Sequence, residues 1–296
     1  MATALAGRIN EGAFMRDYSL LRRGSLAASV VGALLLSSAA RAADGPNLLD
    51  QGFDVSLGTF IVNQDTKVRL DGQTAGDVVP GTPVDWEKNF GDGDTTRFRL
   101  DGYWRFAERH KVRMMWFNSS RSDSTTINRE IEWQGETFPI DAKVKGESKF
   151  QIIELAYEYA FMRRENFELT GTAGIHYTDF STSLSANIND GEVVRHVKKE
   201  GSVGAPLPVF GGRALWHMGG DFWLDASGQW FALSIDQYDG SVTDLRAAAI
   251  WQPSKWVGVG LGYNRFKIDV NVDQDKFRGN LNWAYSGPQL FYTVHF

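Results

Sequence analysis

An all-β, antiparallel transmembrane barrel is the fold this sequence predicts, with ten strands, or eight or twelve if a segment is misread. Three observations carry it. Beyond residue 43, apolar and polar side chains alternate in segments of about ten residues, with no long helical period. The connections between these segments are alternately short and long. Aromatic side chains gather at the short-turn ends.

Composition excludes most other classes. The 296 residues are 43% hydrophobic and 23% charged, as expected of a folded chain. There is no Cys, which excludes a disulfide scaffold, a thiolate metal site and a Cys nucleophile. A formal charge of -5 argues against a nucleic-acid surface. A mean hydropathy of -0.30, with few long apolar runs, excludes a helical membrane bundle.

The N-terminus reads as an export signal. Arg22 and Arg23 precede an apolar run from Leu26 to Leu36, and Ala40-Arg41-Ala42 forms an A-x-A cleavage site. The apolar run is too short to span a bilayer as a helix. The expected division is therefore a signal peptide over 1–42, with Met15 a possible true start, and a barrel domain over 43–296.

The alternating segments fall at about 52–62, 95–106, 110–119, 150–162, 167–177, 208–218, 222–233, 242–251, 256–268 and 284–296. An even count lets an antiparallel sheet close with both chain ends on one side. Three or four residues join the second to the third, the fourth to the fifth, the sixth to the seventh and the eighth to the ninth. Gly219-Gly220-Asp221 is one of these turns. Longer connections are expected over 63–94, 120–149, 178–207, 234–241 and 269–283, with 120–149 extending its flanking strands as a hairpin. Short turns on one rim and long loops on the other are the pattern of a bacterial outer-membrane barrel.

Phe53, Phe106, Phe161, Phe167, Trp216, Phe222, Trp251, Trp256 and Phe296 mark the short-turn ends. All but Trp256, which is one residue out of step, fall in the apolar phase. A row of rings at that level is suited to the boundary between acyl chains and headgroups.

The last segment, Leu290-Phe291-Tyr292-Thr293-Val294-His295-Phe296, sets Leu290, Tyr292, Val294 and Phe296 on one face. It resembles the C-terminal signature of bacterial outer-membrane β-barrel proteins. The resemblance implies recognition of Phe296 by the barrel-insertion machinery and closure of this strand against the one beginning at Phe53. It also implies outer-membrane lipid and lipopolysaccharide as surroundings. It names no activity.

If the apolar phase faces lipid, the other phase fills the lumen. That phase holds Arg97, Arg99, Arg105, Arg113, Arg213 and Arg246, six guanidinium groups, against Asp54, Asp101, Glu154, Glu158, Asp225 and Asp244, six carboxylates. Tyr103, His176, Ser227, Gln229, Gln289 and His295 share it. Eight strands leave an interior that side chains fill and sixteen leave a channel, so ten lie near the filled end. Balanced charge favours a paired core over a selective pore.

Catalytic patterns are poor. No G-x-S-x-G, H-E-x-x-H or P-loop occurs. Gly258-Val259-Gly260-Leu261-Gly262 reads as small inward positions on a curved strand. Some ten-stranded barrels, the omptin proteases, carry Asp and His at the outer rim. Here His176 and His196 are the candidates, with Asp92, Asp94 and Asp179, but the omptin arrangement of adjacent Asp-Asp and Asp-His is missing. The oxygen-rich runs Asn89–Asp94 and Asn271–Asp275 lack the register and final Glu of a calcium loop, so no metal or cofactor is expected. The expected role is structural or passive small-solute transport through a largely filled lumen. The alternatives are a rim enzyme and a loop-borne receptor or adhesin.

Overall fold

The structure is a computed structural model that describes residues 47–74, 77–91, 96–189, 194–235, 238–274 and 277–296. The expected leader over 1–42 with Met15, and Asp92, Asp94 and Asp275, lie outside the described residues.

After a 3-10 turn at Leu48–Asp50, the chain forms β1 (Phe53–Ile61) and β2 (Asn63–Leu70). The short β3 (Gly72–Thr74) and β4 (Asp77–Val79) pair with each other, and β5 (Val84–Asp85) leads into the one-turn helix α1 (Trp86–Phe90). Next come β6 (Thr96–Ala107) and β7 (His110–Thr126), then a small hairpin of β8 (Ile131–Trp133) and β9 (Glu136–Phe138). The chain continues through β10 (Lys143–Arg164), β11 (Phe167–Asn189), β12 (Val194–Gly219), β13 (Phe222–Ile235), β14 (Tyr238–Ser254), β15 (Val257–Gln274) and β16 (Phe277–His295).

Twelve of these strands make one antiparallel sheet, in the order β1-β6-β7-β10-β11-β12-β13-β14-β15-β16-β2-β5. The pairing of β1 with β16, from Asp54↔His295 to Phe60↔Gln289, bends the sheet back on itself. Two strands exceed the ten that the sequence predicts. Both, β2 and β5, lie inside the stretch 63–94 expected to be a connection. β2 continues past Val62 along β16, and β5 adds two residues to β2.

The other expected loops are largely strand too. β10, β11 and β12 have 22, 23 and 26 residues, about twice the roughly 9–11 that a membrane strand needs. Each of the four short turns carries a register shift, at Arg105/Ala107, Ala160/Met162, His217/Gly219 and Trp251/Ser254. An extra residue in one strand changes the phase beyond it. Trp256 lies in the turn before β15, outside the strand alternation, and stands exposed beside Phe296, with ring centroids 6.1 Å apart. Gly219 and Gly220 take φ of 109° and 57°, left-handed values that admit glycine at little cost.

The polarity of the two faces inverts along the wall. At the short-turn half, apolar residues point out: Ile153, Leu155, Tyr157, Tyr159 and Phe161 of β10 are all exposed, and Glu154 and Glu158 between them are buried. At the long-hairpin half the sense is opposite. On β15, Val259 and Leu261 point outward, whereas Phe266, Ile268, Val270 and Val272 are buried inside, alternating with outward Lys267, Asp269 and Asn271. The apolar phase moves by one residue near Asn264. A belt of exposed apolar side chains therefore surrounds a polar interior, and above it a polar surface surrounds an apolar interior.

Candidate functional site: the filled lumen

The first layer closes the short-turn end. The turn at Leu48–Asp50 buries Leu48 and Leu49 against Leu215, Trp223, Ala248, Ile250 and Phe291. Arg163 ties this segment down, donating to the Leu49 carbonyl at 2.7 Å and to Asp50 at 2.6 Å. Gly260 leaves room for Phe291, because a Cβ there would sit 2.0 Å from the ring. Gly260→Val is expected to displace Phe291 and cost about 1–3 kcal/mol, measured as a lower urea midpoint for refolding in lipid or detergent.

The second layer is ionic. Arg99 donates to Asp101 from Nε at 2.8 Å and from Nη2 at 2.9 Å, and Arg113 and Arg246 lie 3.6 and 3.9 Å from the same carboxylate. Arg213 grips Asp225 with two bonds of 2.7 and 3.1 Å. Glu158 stands among Lys111 at 3.4 Å, Arg113 at 3.4 Å and Arg213 at 4.0 Å. Arg105 lies 2.9 Å and Lys111 2.6 Å from Glu168. Gln229 donates to Glu154 at 2.6 Å, and His176 Nε2 is 3.2 Å from the same carboxylate. Arg97 bonds Ser119 at 2.7 Å, and Asp244 accepts from Asn264 at 2.6 Å. Of the predicted lumen charges, Arg97, Arg99, Asp101, Arg113, Glu154, Glu158, Asp225, Asp244 and Arg246 are buried, and Asp54, Arg105 and Arg213 are partly buried. Lys111 and Glu168 were missed, although they share the inward phase of Arg113 and Thr170. They lie within two residues of a short turn, where the alternation is too brief to read.

The third layer is aromatic. Tyr285 is stacked between Phe117 and Phe266, with centroids 5.1 and 5.4 Å away and interplanar angles of 15° and 9°. Trp283 stacks on Phe150 at 3.8 Å, and Phe60 meets Phe117 edge-on at 6.0 Å. Tyr285 joins this layer to the one below, since its hydroxyl donates to Asn264 at 2.8 Å. Trp86, Trp133 and Phe138 continue the apolar interior upward, beneath α1 and the β8–β9 hairpin.

Little room is left among the described residues of the ionic layer. A cavity lined by Asp54, Asp101, Arg113, Arg213 and Asp225 has a volume of about 20 Å³, space for one water.

His176 is fully buried and stacks over Phe266 at 6.3 Å. It therefore stands inside the lumen and not at the outer rim. Asp179 is three residues further along and on the outer phase, and His196 is exposed, 2.9 Å from Asn187. The ring row stands differently from the lumen set: Phe53, Phe106, Phe161, Trp216, Phe222, Trp251, Trp256 and Phe296 are exposed, and Phe167 is half-buried.

No protein-family model and no curated protein matches this sequence. Among solved structures, the chain is similar to the outer membrane protease OmpT from Escherichia coli, at 11% identity and a TM-score of 0.50 over 88% of this chain and 100% of that one. It is also aligned with Ail, the attachment invasion locus protein of Yersinia pestis, at 11% identity and a TM-score of 0.32 over 83% and 99%. A third is the P. putida toluene transporter TodX, at 9% identity and a TM-score of 0.35 over 82% and 89%. These neighbours are bacterial outer-membrane β-barrel proteins. At such identities the likeness to OmpT speaks for the fold alone.

Proposed function

We propose that this chain is an integral protein of the bacterial outer membrane, a structural barrel whose lumen is closed to solutes. The three successive side-chain layers carry the reading. A path for a small solute has to cross an apolar stopper, a paired ionic zone and stacked aromatics. Around the lumen we count ten wall positions, β1 and β2 sharing one of them and β5 lying outside the count. The exposed apolar belt supports the membrane setting: Ile153 to Phe161 spans nine residues, close to the roughly 9–11 of a tilted strand. Export through a cleaved leader is part of the same reading.

An arginine scan tests it. Ala173→Arg on the outer face of β11 is expected to cost about 2–4 kcal/mol near the midplane of the bilayer. Lys267→Arg, above the belt, should change stability by less than about 0.5 kcal/mol. Equal tolerance at both positions during refolding into lipid vesicles contradicts the membrane setting.

A receptor reading has one observation in its favour. The tall β7, β10, β11 and β12 wall bears a polar groove of about 1080 Å³, lined by Ser122, Glu147, Lys149, Ser183, Lys198 and Glu200 among others. Ser122 and Ser183 both donate to Glu147, at 3.5 and 3.3 Å.

A further inference from the structure

Among the described residues, the wall between β12 and β13 is unpaired over part of its height. β12 and β13 are in register from Gly219↔Phe222 up to Phe210↔Trp230 and no further. The same register would set Phe231 against Val209, Ala232 against Pro208 and Ile235 against Ala205, and among the described residues none of these pairs forms. Both strands nevertheless continue, β12 along β11 to Val194 and β13 along β14 to Ile235. A slot about five residues long therefore separates two free edges.

The sequence accounts for the slot. Pro206 and Pro208 have no N–H to donate, and positions two apart present their donors to the same edge of a strand. The β11–β12 ladder runs through both prolines without a register shift, so the missing donors are those that face β13.

The lips are apolar. No charged residue occurs in 201–212 or in 226–235. On one side, Pro206 and Pro208 are in register with Tyr177 and Ile175, exposed members of the apolar belt. On the other, the slot begins beside the exposed Trp230. Inside, half-buried Leu207 and Phe231 pack against the apolar interior. Behind Leu207 lies a cavity of about 20 Å³ lined by Phe180, Val203, Ile268, Val270 and Leu281. The opening thus joins the belt to the apolar upper lumen without crossing a charge.

We propose that this slot is a lateral port admitting one alkyl chain of an outer-leaflet lipid into the apolar upper lumen. The inference rests on the membrane setting proposed above. The resting cavity is smaller than a chain, so entry displaces Leu207 and Phe231, the side chains that line the lips. An alkyl chain fits because it is slender, uncharged and already present at the level of Tyr177 and Trp230.

The test is photolabelling of the full barrel in vesicles with a phospholipid that carries a diazirine on its acyl chain. Adducts are expected outside, on Trp230 and Leu261, and inside, on Leu207 and Val270. Pro206→Ala with Pro208→Ala restores the missing donors. It should slow amide exchange at Phe231–Ile235 about tenfold or more, and should lower inside labelling about tenfold while outside labelling stays unchanged. The chain has no native Cys, so a second closure is available as an oxidised Pro208→Cys, Ala232→Cys pair. Outside labels without inside labels overturn the port and leave the membrane setting intact. Absence of both overturns the membrane setting. Inside labelling that survives either closure, or that arises only from a free diazirine fatty acid, also overturns the port.

Discussion

Replacing Glu158 by Gln is expected to destabilise the barrel by about 3–5 kcal/mol, because three cations lose the carboxylate that compensates their burial. Lys111, Arg113 and Arg213 all lie within 4.0 Å of it, and the carboxylate is fully buried. Lys111 keeps Glu168 at 2.6 Å and Arg213 keeps Asp225 at 2.7 Å, so the loss falls mainly on Arg113. Asp273→Asn removes an exposed partner of Arg278 and should cost less than about 1 kcal/mol. Urea midpoints for the two variants in the same lipid give the comparison. Near-equal midpoints mean that water screens the ionic layer and that the lumen is hydrated there.

Trp283→Ala is expected to cost about 3–5 kcal/mol, the range for deleting a buried aromatic whose neighbours cannot close the gap. Trp283 stacks on Phe150 at 3.8 Å and stands 5.6 Å from Phe266, so its removal opens the third layer across its width. The conservative Trp283→Phe should recover most of that loss. If Trp283→Ala keeps the parental thermal midpoint, the aromatic layer contributes shape without packing energy.

The two halves of the barrel were not equally legible. In the lower half, Phe167 to Tyr177 alternates apolar outward with polar inward, and both the belt and the ionic layer follow from that one phase. In the upper half the alternation persists, but its meaning reverses. Phe266, Ile268, Val270 and Val272 belong to the phase that below Asn264 holds Gly258, Gly260 and Gly262. A reading that follows lipid-facing residues loses the strand where the apolar residues change sides, which is why 178–207 and 269–283 passed for loops. The Ser-rich outer phase of β11, Ser181, Ser183 and Ser185, strengthens that impression because it resembles loop composition.

The candidate site divides in the same way. Single inward charges such as Arg99 and Asp101 could be assigned from phase. Arg99 and Asp101 pair along one strand, but other partners could not be assigned, because a partner such as Asn264 for Asp244, or Glu158 for Arg213, lies one or more strands away, at a distance set by register. The aromatic layer left no signal at all, since rings in an upper strand look alike whether they face lipid or lumen. The slot between β12 and β13 was visible only as two prolines in a run otherwise fit for a strand.

Closure of the lumen is tested most directly by electrical recording from the purified barrel in a planar bilayer. The layered interior predicts no stepwise conductance at moderate voltage, in the parental protein or with Glu158 replaced. Discrete steps that recur with each insertion, and whose ion selectivity shifts towards anions in Glu158→Gln, contradict a filled lumen and make this barrel a small channel.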